Sequence, residues 1–407
     1  MRIECIAIGT ELLTTRRLDT NSVWLGERLA GLGLGFHRKT IVGDSREDLE
    51  QVFREALMRS DLIVTTGGLG PTFDDFTKEC FAGLLGADLR EDARSREDML
   101  AFYAARKRVP PQANFKQALI PVGAEALPNP VGTAPGIWWE DPPGHPGVRI
   151  VMLPGVPREM KGMWEQQVEP RLRPLAGVPL HTLRMVVGGV PESNLDERTR
   201  EARERHGRLE WTILASLTQV ELLARGTDPA ALGAARAEFE PLLGEDLVGV
   251  GNGNLEDAVL GRLKARGETL AVAESMTGGL LAARLTAIPG ASETFLGGAT
   301  VYSALAKTAL LGLDADHLAA VGTVSEATSR ALAEAVRAKL GATWGLGLTG
   351  NAGPSAEGDA PLGTVFIALA GPDATVSKTY HLPGDRADVQ LRSTAWALDL
   401  LRRAMSV

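Results

Sequence analysis

The sequence predicts an α/β protein made of two three-layer α/β domains joined by a small α+β module. Three observations carry that prediction. At 407 residues the chain exceeds the roughly 250–300 residues at which a single core stops growing. Strand-like and helix-like periods alternate from Met1 to about Glu165, and again from about Leu255 onward, the pattern of βαβ units. Between roughly Pro170 and Val250 the texture changes to a short mixed module.

The elements follow in order. Ile3–Gly9 reads as a strand with an acid, Glu4, inside it; Ser22–Leu32 is an amphipathic helix; Asp61–Thr66 is a strand ending in Gly67-Gly68; Asp74–Leu85 is a helix. Pro142–Pro146 reads as the turn of a hairpin between Gly136–Glu140 and Val148–Leu153. Residues 1–168 make the first expected domain. The module, 169–251, carries a strand at Leu180–Gly188, a charged helix at Pro191–His206, a strand at Val220–Arg225 and an Ala-rich helix at Pro229–Leu243. Gly249–Asn254 is the candidate boundary, and the helix Glu256–Arg266 opens the last domain, 252–407.

Composition excludes several classes. Hydrophobic residues at 44%, charged residues at 23% and a mean hydropathy of −0.01 are ordinary for a globular chain. Apolar runs such as Leu280–Leu285 fall short of the ~20 residues of a spanning helix, so no membrane partner is expected. Met1–Ile8 lacks the apolar core of a secretory signal, so a cytoplasmic location is expected. Cys5 and Cys80 cannot form a disulfide framework and are expected in the core. A net charge of −8 without basic runs argues against a nucleic-acid partner. The six histidines are scattered, with no zinc-site spacing, so no histidine chemistry is expected.

In the first domain three loops each follow an apolar strand: Gly9-Thr10-Glu11, Gly67-Gly68-Leu69-Gly70-Pro71-Thr72, and Pro154-Gly155-Val156-Pro157. Ligands of open parallel sheets sit beyond the carboxyl ends of the strands, where Gly-rich turns expose amides that suit phosphate. Asp74 and Asp75 follow at the expected start of a helix. They are either helix caps or ligands of a divalent cation held against a pyrophosphate.

Gly67–Asp75, Asn129–Gly136, Leu153–Met160, Gly9-Thr10-Glu11-Leu12-Leu13 and Asp19-Thr20-Asn21-Ser22 together resemble the molybdopterin-binding-like domain of the competence-damage-inducible protein A (CinA) family. That resemblance implies a pyrophosphatase acting on ADP-ribose with a divalent metal. It makes Glu11, Asp74 and Asp75 metal or water-orienting groups. Gly9, Thr10, Asn21, Gly67, Gly68, Gly70, Thr72, Thr133 and Gly155 become the phosphate and substrate cradle. Phe73 stands where many relatives carry a polar residue.

In the last domain Leu270–Glu274 is a short strand that Ser275-Met276-Thr277-Gly278-Gly279 turns into a helix beginning at Leu280. A serine there is either a helix N-cap or a nucleophile near oxyanion-binding amides. Gly297–Lys307 brings Tyr302 and Lys307 together, with a strand expected to end at Tyr302. Lys307 is either a solvated helix residue or a desolvated base for the serine. Leu346–Pro354 runs a strand into a Gly-rich loop, and Gly384-Asp385-Arg386 precedes the last helix.

These strings resemble the C-terminal CinA domain, whose relatives are nicotinamide mononucleotide deamidases. The resemblance implies Ser275 as nucleophile, Lys307 as base with Tyr302 assisting, and Thr349 and Gly350 binding substrate or oxyanion, without a cofactor. Thr277, Gly278 and Gly279 would hold the substrate phosphate together with Arg386, for which a solvated arginine is the alternative. Met276 replaces a cysteine common in relatives, Ala304 an asparagine, and Asn351 an apolar residue. The chain is thus expected to be a homodimeric salvage enzyme for small nucleotides, nicotinamide mononucleotide and ADP-ribose. The alternatives make the first domain a non-catalytic nucleotide or pterin module with a competence or DNA-damage role.

Overall fold

The computed structural model describes residues 1–405 apart from Arg16, Asn252 and Asp359. The chain forms two compact units, Met1–His181 and Thr182–Val407. In the first, the strands are β1 (Ile3–Ile8), β2 (Phe36–Val42), β3 (Leu62–Thr66), β4 (Leu89–Glu91), β5 (Leu119–Pro121), β6 (Glu125–Leu127), β7 (Gly136–Glu140) and β8 (Arg149–Leu153). Six of them make one sheet in the order β2-β1-β3-β8-β7-β6, and β4 pairs with β5 apart from it. β2, β1, β3 and β8 run parallel, while β7 and β6 fold back antiparallel.

The central strands are buried on both faces because their side chains alternate into two apolar clusters. Leu62 and Val64 of β3 join Leu25, Leu29 and Met160; Ile63 joins Phe53, Ala56 and Phe81. Those partners lie on the helices Thr20–Gly31, Arg46–Arg59, Thr77–Leu84 and Pro157–Met163, which cover the sheet. Cys5 and Cys80 are both buried and free, and burial pushes their thiols up to about 12 and about 11. Glu4, the acid inside β1, is matched there. Its carboxylate accepts from Arg59 Nε and Nη2 at 2.9 and 2.8 Å and from Ser60 Oγ at 3.1 Å.

β2 was not singled out in the sequence because it is an edge strand with mostly exposed side chains and no apolar alternation. The helix expected over Asp74–Leu85 starts later, at Thr77, so Asp74 and Asp75 stand in the turn before it. Thr10–Thr14, expected as loop, closes into a short helix.

The second unit holds two sheets. β9 (His181–Val187), β10 (Glu210–Ala215), β11 (Val220–Gly226) and β12 (Leu247–Val250) form one in the order β10-β11-β9-β12. β13 (Leu270–Glu274), β14 (Phe295–Thr300), β15 (Trp344–Gly350), β16 (Thr364–Ala370) and β17 (Thr375–His381) form the other in the order β14-β13-β15-β16-β17. β13 is parallel to both neighbours.

The sequence suggested three domains, with the last boundary at Gly249–Asn254, of which Asn252 lies outside the described residues. The module instead packs on the last domain within one unit. Val186 and Val248 share an apolar cluster with Val259, Leu398 and Leu401. Arg403 Nη2 reaches Asp246 at 2.7 Å, and Arg402 Nη1 donates to the Leu247 carbonyl at 3.2 Å. Among the described residues no helix is long and apolar enough to cross a membrane.

Candidate functional site

In the first unit the carboxyl ends of β1, β3 and β8 are neighbours in the sheet. The segments that follow them line one cleft of about 580 Å³, which holds Gly9, Glu11, Gly67, Gly68, Gly70, Thr72, Asp74, Asp75, Thr133 and Gly155. Thr10 stands aside, its amide donating to Asp44 at 2.7 Å. Asn21 lines an adjoining cavity of about 310 Å³ that shares Glu11 and Gly155 with the cleft. Its Nδ2 donates to the Gly155 carbonyl at 2.9 Å, and its Oδ1 is buried without a partner. Gly67 and Gly68 have φ of +106° and +68°, and a Cβ on Gly68 would lie 2.0 Å from Thr77 Oγ1. Only glycine fits a turn held that closely against the next helix.

The turn Thr72–Asp75 is closed from within and from outside. Thr72 donates its amide to Asp75 Oδ2 at 3.0 Å, and its hydroxyl bonds to the same oxygen. Lys116 Nζ bonds to the Thr72 carbonyl and donates to the Asp75 carbonyl at 2.7 Å. Asp75 therefore serves the turn. Asp74 keeps Oδ1 buried and unpartnered, and the Thr72 hydroxyl and the Lys116 charge hold its carboxyl below the usual range. Sequence reasoning missed Lys116, which sits in the 3₁₀ segment Gln112–Ala118, far from any strand end.

Glu11, Asp74 and Asp75 share the cleft, yet among the described residues no three His, Cys, Asp or Glu side chains gather as a metal site. The donors instead suit a hard cation that arrives with phosphates. Mg²⁺ takes one or two carboxylates and completes its shell with phosphate oxygens and water, and the orphaned Asp74 Oδ1 fits that role.

In the second unit Ser275 follows β13 directly, and its amide donates to the Leu348 carbonyl of β15 at 3.0 Å. Lys307, on the helix Ala304–Leu311, donates from Nζ to Ser275 Oγ at 3.2 Å and to the Val301 carbonyl at 3.0 Å. The serine is 7% exposed and the lysine 1%. Burial lowers the Lys307 pKa, and the charge of Glu357 partly restores it. Asn351 keeps Glu357 nearby: its Nδ2 donates to the Glu357 and Ala360 carbonyls at 3.0 and 2.7 Å, and its Oδ1 accepts the Glu357 amide at 3.0 Å.

Gly278 and Gly279 have φ of +66° and +98° and bend the chain into the helix Leu280–Thr286. That helix end is already occupied. Glu274, which the sequence reading left as a strand residue, accepts the amides of Leu281 and Ala282 at 2.9 and 2.8 Å. Two of the first free amides of that helix are thus spent on a carboxylate, beside the Thr277–Gly279 segment expected to hold a phosphate. Thr277 Oγ1 is buried without a partner in the same turn.

Tyr302, Thr349, Gly350 and Arg386 each have a partner or close neighbour within the protein. The strand before Tyr302 ends at Thr300. Tyr302 is 62% exposed, and its hydroxyl accepts from Arg386 Nη2 at 2.9 Å. Thr349 donates its hydroxyl to the Thr323 carbonyl at 2.8 Å. Gly350 lies against β16, where a Cβ would stand 2.7 Å from the Thr364 carbonyl, so strand packing accounts for its lack of a side chain. Arg386 begins the helix Arg386–Ala404 and also donates to the Gly353 carbonyl at 2.6 Å, which leaves guanidinium hydrogens for an anion. On the same helix Gln390 Nε2 holds the Met276 carbonyl at 2.6 Å.

Fold and sites together define a molybdopterin-binding-like α/β unit followed by one that carries a buried serine–lysine pair. Residues 4–174 match the family described as "Probable molybdopterin binding domain", and residues 252–405 match the "CinA C-terminal domain". A CinA-like protein of Frankia casuarinae is 42% identical over 423 residues, covering 100% of this chain and 96% of its own. One of Anaeromyxobacter dehalogenans is 42% identical over 416 residues, covering 100% of each. A solved CinA protein of unknown function from Thermoplasma acidophilum is 37% identical and covers 42% of this chain and 96% of its own, with a TM-score of 0.37. The chain belongs to the CinA family.

Proposed function

We propose that the second unit is a serine amidase that deamidates nicotinamide mononucleotide. The observation that carries this is the buried contact of 3.2 Å between Lys307 Nζ and Ser275 Oγ, with burial lowering the lysine pKa. A neutral amine there accepts the serine proton as Oγ attacks the carboxamide carbon. The amides of Met276 and Thr277 receive the oxyanion, since those of Ser275 and Gly278 already donate to the Leu348 and Ser275 carbonyls. Lys307 then protonates the departing nitrogen, ammonia leaves, and a nucleotide acyl ester remains on Ser275. Water attacks that ester with Lys307 again taking the proton, and the carboxylate product leaves as Ser275 Oγ is reprotonated. Arg386 binds the 5′-phosphate, since Glu274 already fills part of the helix end. Thr349 and Tyr302 act as positioning groups. Ammonia release by wild type, Ser275→Ala and Lys307→Ala tests the reading.

For the first unit we propose a metal-dependent ADP-ribose pyrophosphatase. A divalent cation, when bound, would supply Lewis acidity to the phosphates. Asp74 would hold that cation, Gly67–Thr72 would hold the phosphates, and Asn21 Oδ1 would accept a hydrogen bond from the nucleoside. The lack of a gathered three-residue metal site among the described residues favours a second reading, a nucleotide-binding module without turnover. Magnesium-dependent release of AMP from ADP-ribose separates the two. Homodimer formation in the cytoplasm remains part of the proposal, and sedimentation of the full chain tests the assembly.

A further inference from the structure

The second unit contains a cavity of about 350 Å³ away from Ser275. One wall is a single face of the helix Arg386–Ala404: Arg392, Ala395, Trp396 and Asp399 at i, i+3, i+4 and i+7. The turn joining β10 and β11 and the segment Gly189–Glu192 complete it. The lining is mostly apolar, with Val190, Leu217, Leu255 and the Trp396 indole.

Within it Arg392 presents a buried donor, Nε, without an acceptor. Asp388, one turn before Arg392, accepts the Asp385 amide at 3.3 Å, and Asp399, the acid this helix gives to the lining, is committed elsewhere: Oδ1 accepts from Arg402 Nε and Nη2 at 2.9 and 2.6 Å, and Oδ2 from Arg403 Nε at 2.7 Å. Glu192, the other acid in the lining, is exposed. A buried guanidinium N–H without an acceptor is costly, and its natural complement is the forked pair of oxygens of a carboxylate or phosphate. The cavity volume falls at the lower end of the ~300–1,000 Å³ typical of small-molecule sites.

We propose that this cavity binds a flat aromatic ring carrying a carboxylate or phosphate, with Arg392 holding the anion and Trp396 lining the ring. It is a second ligand site, separate from the serine–lysine pair. Arg392 lies on nearly the opposite face of its helix from Gln390, which holds the Met276 carbonyl beside Ser275. An occupant is therefore placed to act on the nucleophile turn through one rigid helix.

The test is hydrogen exchange in the full chain, read at the amides of Ala215–Val220 and so independent of either enzymatic activity. One arm contains millimolar nicotinate and the other millimolar AMP. In wild type one of them slows exchange there by about tenfold or more, identifying carboxylate or phosphate as the preferred anion, and Arg392→Met abolishes the effect. Arg392→Met melts no lower than wild type, because an apolar chain of similar length removes a buried Nε–H that has no acceptor. Should that variant fail to fold, Arg392→Gln carries the same comparison. No slowing by either compound in wild type, slowing confined to other segments, or slowing that survives loss of the guanidinium would overturn the proposal.

Discussion

Lys307 is the residue on which the chemistry turns, and its titration has a definite sign. Burial depresses the amine below its usual 10.5, so between the depressed value and 10.5 the unfolded chain holds one more proton than the folded one. Stability rises with pH across that window. Ammonia release rises through the same depressed value as the amine becomes a base, and a kcat/KM profile with no ascending limb below pH 10.5 down to the acid limit of folding would contradict the role. Tyr302→Phe is expected to change kcat by less than about tenfold, because its hydroxyl bonds to Arg386 on an exposed rim. A hundredfold loss of kcat would return Tyr302 to the reacting groups. The contact between Ser275 and Lys307, 32 positions apart, was legible in the sequence through the family strings alone. Glu274 was not, because nothing in Leu270–Glu274 says that its carboxylate folds forward onto amides seven and eight residues later.

Among the elements, strand ends were the most legible. β1, β3 and β8 each run from apolar residues into glycine or proline, and their adjacency follows from parallel pairing. The start of the helix Thr77–Leu84 was misread because the preceding turn is closed by Lys116, 44 positions from Thr72, and no local pattern reports so distant a bond. The helix Leu280–Thr286 depends on Glu274 for two of its first amides. Glu274→Gln keeps one acceptor and loses the charge, and we expect it to lower unfolding stability by ~1–3 kcal/mol in denaturant titration. An unchanged midpoint would show the cap to be dispensable. In the Gly67–Asp75 turn, Asp74→Asn removes the orphaned acceptor's charge and is expected to reduce AMP release from ADP-ribose by roughly a hundredfold. The same loss from Asp75→Asn with full activity in Asp74→Asn would reverse the assignment.

For the whole molecule, two compact units carry two chemically distinct sites, so damage to one is expected to spare the other. Asp74→Asn should leave ammonia release intact, and Ser275→Ala should leave AMP release intact; mutual loss in purified, folded variants would mean that the sites are coupled. The α/β class and the order of the parts were legible from periodicity. The joining of the small module to the last domain was not, because it rests on Val186 and Val248 meeting Leu398 and Leu401, and on the Asp246–Arg403 pair, all more than a hundred positions apart. The most direct measurement is ammonia release from nicotinamide mononucleotide by wild type, Ser275→Ala and Lys307→Ala, each checked for fold by circular dichroism. We expect wild-type turnover, with a loss of at least about 10³-fold in Ser275→Ala and about 10²–10⁴-fold in Lys307→Ala. Turnover that survives Ser275→Ala would contradict the serine amidase outright.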